Sequence, residues 1–196
     1  MKHWVFALLS LVFINWKPAF GIPPLSTESR LVRAAYKALK ANPAAAGAQL
    51  AYLSAFPKSR DKFLRIFMDA PRYGQLYDGH AYIEALRSLG TRHPSKVLAI
   101  CFGVERTMSR TSDAVAYLAD VTVSVGITHP RIFAEEARRL ARTEQVALCR
   151  FLADEEGIEH DPEYEQLREL LGKAGATGLS KELQRAKKRR IMQLNH

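Results

Sequence analysis

The stretch HPSKVLAICFGVE, from His93 to Glu105, carries the pattern that decides the fold class of this chain. Its second residue is a proline, which is favoured at the first position of a helix because the N–H group there has no partner. The segment LAICFGV that follows is typical of a buried helix face. The stretch therefore predicts a helix that begins at Pro94.

The same kind of helix start recurs along the chain. Proline also follows Asn42, His129 and Asp161, and asparagine and aspartate are strong N-cap residues while histidine is a poorer one. Further predicted starts have a hydroxyl residue as the cap, at Ser26, Ser59, Ser112, Thr143 and Ser180. Glycines at C-cap positions are predicted to end helices at Gly90, Gly157 and Gly172.

Apolar residues inside these segments recur at intervals of three and four, as in the stripe of Leu31, Ala35 and Leu39. The weakest helix prediction is VTVSVGI, residues 121–127, because β-branched residues disfavour helix and the alternation fits a strand. A lone strand would have no partner elsewhere, so we predict helix there too. The expected fold is all-α, with about nine or ten short helices.

Two arrangements of these helices are open: an irregular helical domain, or an array of stacked helical hairpins like that of HEAT repeats. The proline-led starts at 93, 129 and 161 are 36 and 32 residues apart, which is the period of a stacked two-helix repeat. No residue signature repeats between these units. The irregular domain is therefore the preferred prediction.

Residues 1–21 have the features of a signal peptide. Lys2 precedes an apolar run of eleven residues, WVFALLSLVFI, and small residues at Ala19 and Gly21 fit a cleavage site after Gly21. We expect export to the periplasm or beyond, with a single helical domain over 22–196. The alternatives are that residues 1–21 stay attached as a membrane anchor or that they form a buried helix.

The chain is basic, with 29 lysines and arginines against 20 acidic residues and a net charge of +9. Loss of residues 1–21 would remove Lys2 and Lys17 and leave +7. Such charge would favour nucleic acid in the cytosol. For an exported chain it favours an acidic protein, a cell-wall polymer or a membrane surface. Neither GKAGATGLSK nor EEGIEHD has the residues of a phosphate loop or a zinc site, so no cofactor or metal is expected.

Cys101 and Cys149 leave two possibilities. An oxidising compartment would allow a disulfide between them. Alternatively, both are free thiols on buried helix faces, where cysteine behaves as a small apolar residue.

The stretch RYGQLYDGHAYIEALRSLG, residues 72–90, has a functional and a structural interpretation. In the first, Asp78 and His80 form an acid/base or metal-binding pair, and Tyr73 and Tyr77 line its pocket. In the second, Asp78 caps or turns the chain before a helix and the tyrosines pack that helix. The second interpretation needs no further assumption and is preferred.

The pattern of FPKS at Phe56–Ser59, followed by aromatic residues and LYDGHAYI at 76–83, resembles poorly characterised exported or envelope-associated bacterial proteins built from short helices. The resemblance spans 50–89. It implies export and an all-helical fold, and it brings no catalytic residues to this chain.

The C-terminal segment over 180–195 is predicted to be a basic amphipathic helix. Its cluster of four consecutive basic residues consists of Lys187, Lys188, Arg189 and Arg190. Such a helix suits an acidic protein partner or an anionic membrane.

The leading hypothesis is therefore an exported, non-enzymatic, helical protein-binding module, of which an immunity-type inhibitor acting by steric occlusion is one form. Its predicted contacts are Arg72, Tyr73, Tyr77 and the four C-terminal basic residues. One alternative is an exported hydrolase acting on cell-wall or envelope material, with Asp78, His80 and Glu84 as its acid/base groups. Another is a membrane-surface adaptor.

Overall fold

A computed structural model describes residues 25–67, 76, 80–108, 113–155 and 157–195. The predicted signal peptide lies outside these residues. The α-helices are α1 (Thr27–Ala41), α2 (Ala46–Ala55), α3 (Arg60–Phe67), α4 (Ala81–Gly90), α5 (Pro94–Glu105), α6 (Asp113–Thr128), α7 (Pro130–Arg138), α8 (Arg142–Leu152), α9 (Pro162–Lys173) and α10 (Thr177–Leu194). A short 3-10 helix, Ile158–His160, precedes α9. The all-α prediction is confirmed, and no strand is present among the described residues.

Several predicted helix starts are confirmed. His93, His129 and Asp161 each precede a proline at the first helical position, of α5, α7 and α9 respectively. The Asp161 carboxylate accepts the N–H groups of the second and third helical residues at 2.9 and 3.0 Å. Ser26 caps α1 through its hydroxyl oxygen. The doubtful stretch 121–127 is helical, within α6.

The predicted start of α2 is wrong. Asn42 instead ends α1, since its N–H group donates to the Ala38 carbonyl at 3.1 Å. Pro43 lies in the turn, where its carbonyl accepts a hydrogen bond from the Gln49 side chain at 2.6 Å. The helix itself begins only at Ala46.

The starts of α8 and α10 are also displaced from their predicted positions. Helix α8 begins at Arg142 instead of after Thr143. The Ser180 N–H group donates to the Ala176 carbonyl at 3.0 Å, so Ser180 already lies inside α10. The basic helix therefore runs over Thr177–Leu194 instead of 180–195. Gly175, with φ +81°, makes the left-handed turn after α9 that was predicted at Gly172.

Helix α6 lies at the centre of the packing. It contacts α4, α5, α7, α8 and α9, and nine of its sixteen residues are buried. An apolar helix of this kind is buried on most of its sides. Pairs such as α4 with α6 and α8 with α10 pack as in stacked hairpins, whereas the contacts of α6 with α9 and of α2 with α5 reach further along the chain.

The buried apolar side chains form one continuous cluster from Val32 on α1 to Ala186 on α10. Cys101 on α5 and Cys149 on α8 belong to this core as free thiols, and no disulfide joins them. None of the described helices has both the length and the apolar character needed to cross a membrane.

Candidate functional site

The residues of the predicted acid/base stretch fall partly outside the described part of the chain. Arg72, Tyr73, Tyr77 and Asp78 all belong to the undescribed residues. Their predicted roles in binding and acid/base chemistry therefore stay predictions. His80 and Glu84 are described.

His80 enters α4 in a left-handed backbone conformation, with φ 67°. Its carbonyl accepts the N–H groups of Ile83 and Glu84 at 2.8 and 2.9 Å, which starts the helix. The residue as a whole is only 9% exposed, and its ring stacks on Tyr117 with 3.8 Å between the ring centroids. A left-handed histidine is uncommon and strained, and here the stacked ring packs α4 against α6.

Glu84 lies on the surface of α4 and pairs with Arg87 one turn later, at 3.0 Å. Such a pair is ordinary helix-surface chemistry. Among the described residues, no three histidine, cysteine or acidic side chains come close enough to hold a metal ion. Glu156, in the acidic stretch before α9, lies outside the described residues.

The four predicted basic contacts of the C-terminal helix have different surroundings. Lys187 is 14% exposed, pairs with Glu165 at 2.7 Å, and donates to the Glu159 carbonyl at 3.2 Å. Lys188 is exposed. Arg189 and Arg190 line a cleft. Lys187 therefore holds α10 on α9, and the two arginines are the residues placed for binding.

Lys187 and Arg168 stabilise the charged form of the Glu165 carboxyl. Partial burial alone would raise the pKa of this carboxyl, but the hydrogen bonds from Lys187 and Arg168 outweigh that effect. The pKa of Glu165 consequently lies below its ordinary value. The carboxylate is thus charged at neutral pH, and the contact between the two helices is an ion pair.

The cleft has a volume of about 620 Å³ and is built by the end of α5, by α8 and by α10. Four arginines line it: Arg106, Arg150, Arg189 and Arg190. Met108 and the buried Phe151 supply apolar surface between them. We call this feature the arginine cleft.

Three of the four arginines are held in place by carboxylates. Arg106 pairs with Glu144 at 2.6 Å, Arg189 with Glu182 at 2.9 Å and Arg190 with Asp154 at 3.2 Å. These pairs fix the guanidinium groups before any ligand arrives, which lowers the entropic cost of binding.

Not all of the donor capacity in the arginine cleft is used. The exposed Arg150 makes no hydrogen bond or ion pair among the described residues. The buried Nε–H groups of Arg189 and Arg190 also lack an acceptor within the described part of the chain. Since a guanidinium has five N–H donors and matches a carboxylate with two of them, the cleft is suited to oxygen anions.

Beside the cleft, one carboxylate serves three arginines. Glu182 is 5% exposed and accepts hydrogen bonds from Arg142, Arg185 and Arg189. A single negative charge faces three positive ones there, so positive charge remains in excess next to the cleft.

Sequence reasoning placed Arg189 and Arg190 in a binding role but missed Arg106 and Arg150. Each of these two is a single basic residue near a helix end. Arg106 lies about 80 positions and Arg150 about 40 positions before the C-terminal cluster in the sequence. No local pattern connects them to that cluster. Only the packing of α5, α8 and α10 brings the four side chains together.

Comparison with protein-family models, with curated proteins and with solved structures finds no significant match to this chain. A functional proposal for this chain therefore rests on the chemistry of the arginine cleft.

Proposed function

We propose that this chain is a non-enzymatic protein-binding module that holds an acidic segment of a partner protein in the arginine cleft. The observation that carries the proposal is the convergence of four arginines from three parts of the chain on one cleft. Aspartate and glutamate side chains of the partner would pair with the guanidinium groups, while its apolar atoms cover Met108 and Phe151.

The charge of the cleft favours carboxylates over nucleic acid. Three of the four arginines already have a carboxylate partner in Glu144, Asp154 or Glu182. The four arginines that line the cleft therefore keep an excess of one positive charge over these carboxylates, which suits a few carboxylates better than a row of phosphates. An inhibitor that covers an acidic site on a toxin is one protein of this kind, and the expected export of the chain is compatible with it.

The test measures the affinity of the full chain for a fluorescent glutamate-rich peptide. Arg150→Ala should weaken binding by roughly three- to tenfold, because it removes the guanidinium that has no partner among the described residues. Arg33→Ala is the matched control: Arg33 is an exposed arginine on α1, a helix that does not line the cleft. The two variants lose the same charge, so only a site-specific effect separates them.

Equal losses of peptide affinity in both variants would contradict the proposal, because they would mean that binding depends only on the net charge of the chain. The membrane alternative is tested in parallel with anionic vesicles, since Met192, 56% exposed, and Leu194 present apolar surface at the end of α10. Tight vesicle binding that Arg150→Ala leaves unchanged, without peptide binding, would favour the adaptor hypothesis.

A further inference from the structure

A second feature, separate from the arginine cleft, lies between α2 and α5. It is a groove of about 430 Å³. Leu53 and Ile100 are buried and form its floor, and Leu50 stands on its wall with 43% of its surface exposed. Lys58 and Lys96 also line it. We call it the lysine-rimmed groove.

The two helices that form the groove run in the same direction. Near the start of α2, Gln49 is hydrogen-bonded to the ring of His93, the N-cap residue of α5, at 2.8 Å. Beyond the end of α2, the Lys58 carbonyl is packed against Gly103 near the end of α5. Lys96 and Lys58 therefore lie towards opposite ends of the groove.

The spacing of the two lysines follows from the helix rise. Lys96 and Gly103 are seven residues apart on α5, which corresponds to about 10 Å at 1.5 Å per residue. Because the Lys58 backbone lies beside Gly103, the backbones of the two lysines are offset by about this length along the groove.

Both lysines are exposed, and neither has an acidic partner among the described residues. Lys62, by contrast, pairs with Glu28 on α1 at 3.4 Å. The groove thus joins an apolar floor to two positive charges that no described side chain neutralises. Its complement is an apolar surface flanked by two negative charges.

We infer that the lysine-rimmed groove is a docking site for an amphipathic helix of a partner protein. The apolar face of that helix would cover Leu50, Leu53 and Ile100, as in other helix-in-groove complexes. Two acidic residues seven positions apart, which is two helical turns or about 10.5 Å, would reach Lys58 and Lys96. A second copy of this chain fits less well, because its net charge is +9.

The test is a charge swap with two synthetic peptides. One is a leucine-striped helix with two glutamates seven positions apart, and the other has lysines in their place. The acidic peptide should bind the full chain, and the double variant Lys58→Glu and Lys96→Glu should weaken that binding by about tenfold or more. The lysine peptide should bind the double variant and not the original chain.

Two controls separate this site from other effects. Lys37→Glu with Lys181→Glu makes the same change of charge at exposed lysines on α1 and α10 and should leave binding of the acidic peptide within about twofold. Arg150→Ala should also leave it unchanged, so failure of the groove and failure of the arginine cleft are distinguishable. Leu50→Ala, at an exposed position, should weaken binding while the chain remains folded.

Four results would overturn the inference. The peptides could bind the original chain and the double variant alike, or not at all. The chain could form a dimer that Leu50→Ala dissociates, which would make a second copy the occupant. Anionic vesicles could bind through Lys58 and Lys96 while the acidic peptide does not, which would make the groove a lipid site.

Discussion

At the scale of single residues, Gly103 lies directly against backbone from another part of the chain. The chain leaves α2 through the buried Phe56 and Pro57, and the Lys58 carbonyl then approaches α5 near its end. A Cβ atom at Gly103 would lie 2.7 Å from that carbonyl oxygen. Glycine is therefore what lets the FPKS turn lie directly on the helix.

We expect Gly103→Ala to lower the free energy of unfolding by about 1–3 kcal/mol, because backbone must move to accept the methyl group. Gly178→Ala, in the first turn of α10, is the control with the opposite sign: nothing lies within 4 Å of its added Cβ, so helix propensity should raise stability by up to about 1 kcal/mol. Urea unfolding measures both. Similar effects in the two variants would show that the contact at Lys58 is not tight.

The sequence predicts the role of a residue best when that role, such as helix capping, depends only on neighbouring residues in the chain. Asp161 and Ser26 cap the helices that follow them, as expected from residue type and position. The arginine cleft was only half predictable, because Arg106 and Arg150 join Arg189 through contacts between distant helices. Sequence periodicity indicates which face of a helix is buried, but not which helix covers it.

At the scale of helices, the predicted starts are wrong where a residue type that favours an N-cap also fits another position near a helix end. Asn42 is a good N-cap, but asparagine also suits a C-terminal position, and α1 extends to reach it. The helices near the predicted caps Ser180 and Thr143 begin earlier, at Thr177 and Arg142. Hydroxyl residues are tolerated inside a first turn, so their presence fixes a helix start only to within a few residues.

The cap of α9 gives a prediction at this scale. Asp161→Ala should lower the free energy of unfolding by about 1 kcal/mol, because it leaves the N–H groups of Glu163 and Tyr164 without the carboxylate that accepts them. Asp161→Asn keeps an accepting oxygen and should cost less than half as much. Urea unfolding at neutral pH compares the two, and equal losses would indicate that the charge at the helix end dominates instead.

At the scale of the whole molecule, the central packing of α6 and its neighbours buries several groups that can lose a proton. Burial and the nearby Glu105 raise the pKa of Cys101 well above its ordinary value. Burial, with a contribution from Glu182, raises the pKa of Cys149 to about 12. The pKa of Tyr164 is raised chiefly by burial as well, and its hydroxyl donates to the Leu183 carbonyl at 2.8 Å.

The folded chain should therefore lose stability at alkaline pH. A group whose pKa is raised by folding stabilises the protein fully below its unfolded pKa, and this contribution falls as pH rises towards the folded pKa. For the cysteines the loss begins near pH 9, and each group adds a slope of about 1.4 kcal/mol per pH unit. Unfolding in urea with a reductant, from about pH 8 to about pH 11, measures it.

The variant Cys149→Ala tests the origin of this alkaline slope. It should reduce the slope of the unfolding free energy above pH 9 by up to about 1.4 kcal/mol per pH unit, the contribution of one titrating group. This change in slope is separate from the stability lost at neutral pH when the buried sulfur is removed. An unchanged slope would mean that surface groups such as lysines cause the loss.

The carboxylate of Glu182 has a consequence for how this chain tolerates mutation. Arg142, Arg185 and Arg189 all donate to its two oxygens, so loss of any one arginine leaves the buried charge with two others. Single losses are buffered in this way, and only a later loss at the same carboxylate exposes the cost. Loss of one of these arginines should therefore change stability little, although loss of Arg189 would also alter the arginine cleft. Loss of the glutamate has no such buffer, and a change at one arginine that leaves stability unaltered limits which change can follow.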